Sequence, residues 1–179
     1  MNPLTALFRC FAILAIVLLT ACEEYSSTPS FVEVLQERTA LIGDLKSYQT
    51  ISDVRSSLGP LAEKWEVLED SGKGSKSSKP PFEIFTAVVH GYVHEGFRGD
   101  LRLTFFNNRL MSTWFYPDDL AGYRKALNVK IPALAERESI KIPPFTVILV
   151  ATDYRGKRYV AWEDSRLQEQ MSMWIKRYS

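Results

Sequence analysis

Cysteine is almost absent: Cys10 and Cys22 are the only two in 179 residues. Cys10 lies inside an apolar run near the N-terminus, so the body of the chain has no pair that could close a disulfide. A domain built from it must be held by its core alone. Histidine is as scarce, with only His90 and His94. Both fall in a segment that reads as a strand, where four residues span about 13 Å. That is too far for one ion with bonds of about 2 Å, so no metal site is implied, and no motif implies a cofactor. GxSxG, a phosphate-binding loop and any recognisable Ser, His and Asp arrangement are missing. Hydrolase and transferase chemistry therefore have no support, and the chain reads as non-enzymatic. A net excess of one charge is missing as well: 22 basic residues face 21 acidic ones. The densest basic stretch, Lys73 to Lys79, is diluted by Gly and Ser and reads as a solvated loop. No nucleic-acid partner is implied.

A membrane-crossing run is also lacking. Cys10 to Leu19 (CFAILAIVLL) is apolar throughout, but ten residues are about half of what a spanning helix needs, while an export signal needs roughly 7–15. Arg9 precedes the run, and Thr20 and Ala21 follow it. Leu19-Thr20-Ala21-Cys22 resembles the lipobox of bacterial lipoproteins. The resemblance implies cleavage between Ala21 and Cys22 and acylation, palmitate included, of the Cys22 thiol. Several acyl chains anchor a protein firmly, each buried methylene contributing about 0.8 kcal/mol. Loss of Arg9 with residues 1–21 leaves basic and acidic residues in balance. The organisation expected is a signal peptide over 1–21, a lipidated polar tether over 22–29 and one globular domain over 30–179. Hydrophobic residues at 46% and charged residues at 24% suit a chain that folds.

Within the domain, Ser30 with Glu33 makes a capping box before Val34, Leu35, Leu41, Ile42 and Leu45, which predicts a first helix. Thr50 with Asp53 caps a second, shorter one that stops at Gly59-Pro60. Lys64–Glu69 and Glu83–His94 predict strands on either side of a polar loop, Asp70–Pro81. Leu101–Phe106 and Arg109–Tyr116 flank Asn107-Asn108, a two-residue hairpin turn. Its register places Phe105 opposite Leu110, Leu101 opposite Trp114, and Arg102 opposite Thr113. A short helix follows Asp118-Asp119 through Leu127. Then come a connector, a buried strand over Phe145–Thr152, a return strand over Arg158–Trp162, and a last helix capped by Ser165 and Gln168 with Leu167, Met171, Trp174 and Tyr178 on one face. The fold class expected is α+β: two N-terminal helices packed on an antiparallel sheet, with a C-terminal helix–hairpin–helix extension.

Two acidic pairs, Asp118-Asp119 and Glu163-Asp164, lie at helix starts, where capping explains them better than catalysis does. Arg98-Gly99-Asp100 reproduces an integrin-binding tripeptide, but the same residues suit a turn. Aromatics crowd at Trp114-Phe115-Tyr116. If helices cover one face of the hairpin, Phe106, Met111 and Phe115 form an apolar patch on the other that could dock a partner.

The stretch Thr50-Ile51-Ser52-Asp53-Val54-Arg55-Ser56-Ser57-Leu58-Gly59-Pro60, followed by Trp65 and by Leu101-Arg102-Leu103-Thr104-Phe105 before Leu110, resembles the SmpA/OmlA (BamE-like) lipoproteins. It departs from that pattern at Tyr48-Gln49, at Pro60 and in the long loop before Pro81. The likeness spans Thr50 to Tyr116. It implies two helices on a three-stranded antiparallel sheet and a role in β-barrel assembly at the outer membrane. The expected function is that of a lipid-anchored envelope protein, facing the periplasm from the outer membrane, that binds an envelope protein in outer-membrane assembly or maintenance. The alternative is a periplasmic carrier or sensor of a small apolar or glycan ligand held in a cleft between sheet and helices.

Overall fold

The computed structural model describes residues 37–72 and 79–179. The signal segment, Ala21, Cys22, the tether, the Ser30–Glu33 capping box and most of the basic loop lie outside the described residues. Arg38–Ser179 forms one compact unit, and among the described residues no helix is long and apolar enough to cross a membrane.

Among the described residues seven antiparallel strands make one sheet, and three α-helices accompany it. In chain order these are α1 (Ile51–Leu58), β1 (Glu66–Ser71), β2 (Ile84–His94), β3 (Phe97–Phe106), β4 (Arg109–Pro117), α2 (Leu120–Lys130), β5 (Ser139–Ile142), β6 (Thr146–Thr152), β7 (Arg158–Asp164) and α3 (Ser165–Tyr178). The strands lie in the order β1-β2-β3-β4-β7-β6-β5.

This overturns the expected architecture of two N-terminal helices on a sheet with an appended helix–hairpin–helix. The segment where the first helix was expected to end is a tight loop. Gly43 takes φ 57, Ala40 bridges to Lys46, and the Leu41 N–H donates to the Leu45 carbonyl at 2.9 Å. Leu41, Ile42 and Leu45 still enter the core, so their apolar spacing was a signal of burial and not of helix. The C-terminal hairpin is no extension either. β7 pairs with β4 from Ser112↔Glu163 to Phe115↔Val160, which carries β6 and β5 into the same sheet.

Local chemistry explains the helices. The Thr50 side chain accepts from the Asp53 N–H at 3.1 Å and Asp53 accepts from the Thr50 N–H at 3.0 Å, closing the capping box of α1. Asp119 caps α2 through the Gly122 N–H at 2.9 Å. The cap of α3 is Asp164, one residue before the expected Ser165, and it accepts from the N–H groups of Arg166 and Leu167.

One face of the sheet carries the main core. Phe85, Ala87, Val89, Leu101, Leu103, Phe105, Leu110, Phe115, Val160 and Trp162 pack there with Val54 and Leu58 of α1, Tyr123 and Leu127 of α2, and the 41–45 loop. The Asn107-Asn108 turn has φ 50 and φ 57, as the sequence predicts. The strand register does not run as predicted. Phe105 faces Leu110, but Thr104 faces Ser112, so Met111 bulges out of the ladder and every pair beyond it shifts by one: Leu101 faces Phe115 and Arg102 faces Trp114. Arg98-Gly99-Asp100 is likewise no turn but part of β3, where Gly99 admits the Tyr116 carbonyl: a Cβ there would sit 2.2 Å from that oxygen.

Candidate functional site

The expected docking patch of Phe106, Met111 and Phe115 does not form. All three are buried, and the Met111 bulge divides them between faces. Phe115 enters the main core, within ring-contact range of Tyr92, His94 and Tyr123. Phe106 and Met111 lie on the second face, covered by Leu167 and Met171 of α3 and by Phe82.

That second face is only partly covered. At one end α3 lies on it, with Phe82 packed at a tilt against Trp174 at 4.3 Å between centroids. Beyond α3 the face is open, and a ridge of side chains crosses three strands. The Arg102 guanidinium of β3 lies 4.8 Å from the centre of the Trp114 ring of β4. Trp114 in turn stacks on Tyr159 of β7 at 4.5 Å and 11°, and Tyr116 packs beside Tyr159.

The ridge separates two grooves, and Arg102 borders both. The first, about 290 Å³, is lined by Glu66, His90, Asp100, Tyr116, Arg155 and Lys157 among others. Its charges are largely paired. His90 bonds Asp100 at 3.0 Å and Glu66 at 3.2 Å, and Lys157 lies 3.5 Å from Asp100. The hydrogen bonds to Asp100 and Glu66 raise the His90 pKa.

The second groove, about 440 Å³, lies between the sheet and α3. Thr86, Thr104 and Ser112 come from three neighbouring strands in register and make a row of hydroxyl residues along its floor, with Thr104 partly exposed and Thr86 and Ser112 buried at either side. Phe82, Ile84, Met111 and Met171 form an apolar end, and Gln168 of α3 stands in its wall. Glu163 sits between these regions and accepts from the Trp114 indole N–H at 3.3 Å. Burial raises the Glu163 pKa, which favours its neutral, proton-donating form.

Arg102 is the unusual member. Its Nε is buried without a hydrogen-bond partner, and among the described residues no carboxylate lies within ion-pair distance of it. Among the described residues its one polar partner is the Tyr116 hydroxyl, whose pKa is itself pushed up to about 12, chiefly by burial. A half-buried guanidinium normally faces an acid, because leaving its donors unsatisfied is costly.

His94 belongs to neither groove. It packs against Phe115, Tyr123 and Trp162, and its Nδ1 lies 2.6 Å from the Tyr123 hydroxyl. Among the described residues no group of three or more His, Cys, Asp or Glu side chains is placed to hold a metal ion. Asp119 and Asp164 serve as helix caps. Sequence reasoning named Arg102, Trp114 and Glu163 but assigned none of them to a binding site. A lone arginine within Leu101–Phe106 was a usable signal, but the bulge that sets it beside Trp114 was not visible.

Compared with protein-family models, curated proteins and solved structures, the chain matches none.

Proposed function

We propose that this chain is a lipid-tethered envelope protein that binds a small ligand, without chemistry of its own, in the groove between its sheet and α3. The observation that carries this reading is that groove itself: a hydroxyl row in its floor, an apolar end and an arginine that, among the described residues, has no carboxylate within ion-pair distance. Small-molecule sites combine an apolar lining with a few convergent polar groups in this way. Among the described residues no His, Cys or Lys lines the groove, which supports binding over catalysis.

The tether is the lipid expected on Cys22, and it holds the domain at a membrane surface, in our reading the periplasmic side of the outer membrane. Replacing Cys22 by Ala should shift the protein from the membrane to the soluble or precursor fraction; an unchanged mature membrane species would rule the tether out. The binding reading is tested by native mass spectrometry of the full-length protein extracted from its own membranes, beside a Thr104→Trp variant that fills the groove. A small molecule retained by the wild type and lost by the variant is expected. Retention by both, or by neither, counts against the groove.

A second reading, an envelope protein partner of the kind implied by the BamE-like resemblance, draws on β1. This edge strand is exposed along its whole length, with Val67 and Leu68 about half exposed, and an open edge can accept a partner strand. A photocrosslinker at Leu68 that captures one barrel-assembly component, while one at Glu138 does not, would favour it.

A further inference from the structure

We infer that the ligand of the sheet–α3 groove is an acidic sugar, a polyol ring carrying a carboxylate or phosphate, with its anion on Arg102 and its hydroxyls over Thr86, Thr104 and Ser112. This inference rests on the groove being the binding site and adds the chemical class of what fills it.

Charge complementarity decides the anion. Asp100 and Glu138 each face a cationic side chain, Glu66 bonds His90, Asp164 holds Arg166, and Glu69, at the groove's edge, accepts from the Ser71 hydroxyl. Arg102 alone borders both grooves, lacks a carboxylate within reach among the described residues, and leaves Nε buried and unbonded. A carboxylate or phosphate can take two parallel N–H bonds from a guanidinium. The Trp114 ring fixes the plane of that fork from one side.

The rest of the groove suits a polyol. Three hydroxyl residues stand in one row across β2, β3 and β4, and Gln168 and the Glu163 carboxyl face the same space. The Glu163 carboxyl accepts from the Trp114 indole N–H and has further lone pairs for a sugar hydroxyl. A long acyl chain would require a continuous apolar floor, and here the row of Thr86, Thr104 and Ser112 interrupts it between Trp114 and the end formed by Phe82 and Met171.

Isothermal titration of the detergent-solubilised full-length protein with glucuronate, glucose 6-phosphate, glucose and inorganic phosphate tests the class. We expect both acidic sugars to bind at least ten-fold more tightly than glucose and than inorganic phosphate. Arg102→Gln should abolish that difference, while Arg102→Lys, which keeps the charge but not the fork, should retain part of it. Far-ultraviolet dichroism confirms that each variant is folded. Equal binding of glucose and the acids, lost together in Thr104→Trp, would overturn the anion requirement and leave the groove as the site. Phosphate binding as tight as glucose 6-phosphate would overturn the sugar. No binding by any probe would overturn the acidic-sugar class, leaving the groove to be judged by the species that native mass spectrometry retains.

Discussion

His90 and His94 lie four residues apart on β2 and face opposite sides of the sheet. Val89 pairs with Leu101 and Tyr92 with Gly99, so His90 and Gly91 together oppose Asp100, and Gly91 takes φ 69 to make the bulge. The extra residue inverts the alternation, so Tyr92 and His94 point into the core while His90 meets Glu66 and Asp100 outside. One strand thereby holds two imidazoles whose pKa values are displaced in opposite directions.

Burial lowers the His94 pKa below its ordinary 6.5. The fold therefore favours the neutral ring, whose contribution is whole above pH 6.5 and is lost as pH falls toward the folded value. Urea midpoints should decline on acidification from pH 7 to pH 5, and His94→Gln should flatten that decline. An unchanged slope in the variant would mean that other groups dominate acid unfolding.

His90 behaves in reverse, since its carboxylate partners raise its pKa. Its contribution is whole below pH 6.5 and disappears as pH rises through the folded value. Proton NMR should find its midpoint above 6.5, moving down in Asp100→Asn and also in high salt, because the ring is exposed and such pairs are screened. A midpoint insensitive to both would remove Asp100 as the cause.

Phe115 is wholly buried and lies beside three rings. Phe115→Ala should cost about 3–5 kcal/mol, read from the urea midpoint. A surface docking residue would change stability by no more than about 0.5 kcal/mol, so this measurement separates a core role from the docking patch that the sequence suggests.

Asp164 is fully buried, caps α3 and lies 2.6 Å from the Arg166 guanidinium. Asp164→Ala removes the cap and the ion pair together and should cost about 3–5 kcal/mol. Asp164→Asn keeps a capping oxygen and should cost less. Equal losses would place the whole effect in the charge.

Sequence reasoning served where the signal is local. Thr50 with Asp53, Asp119 before Gly122, and the paired asparagines of the turn each act through groups within a few residues, and all three form as expected. The stripe of Leu167, Met171 and Trp174 finds the core side of α3 for the same reason. The 41–45 loop shows the limit: Leu41, Ile42 and Leu45 announce burial, but Gly43 at positive φ decides that the chain reverses there and does not coil.

What the sequence alone determined is therefore the caps of α1 and α2, the Asn107-Asn108 turn and the apolar residues that seek the interior. The tertiary structure decided which face each strand residue takes. Bulges at Gly91 and Met111 insert one residue each, and with a side-chain period of two this exchanges inside for outside. It also decided that β7 joins β4, a pairing between residues nearly fifty apart whose partners share no local pattern. Arg102, Trp114, Tyr159 and Glu163 meet only because of those two choices, so the candidate site became visible only once the sheet was closed up.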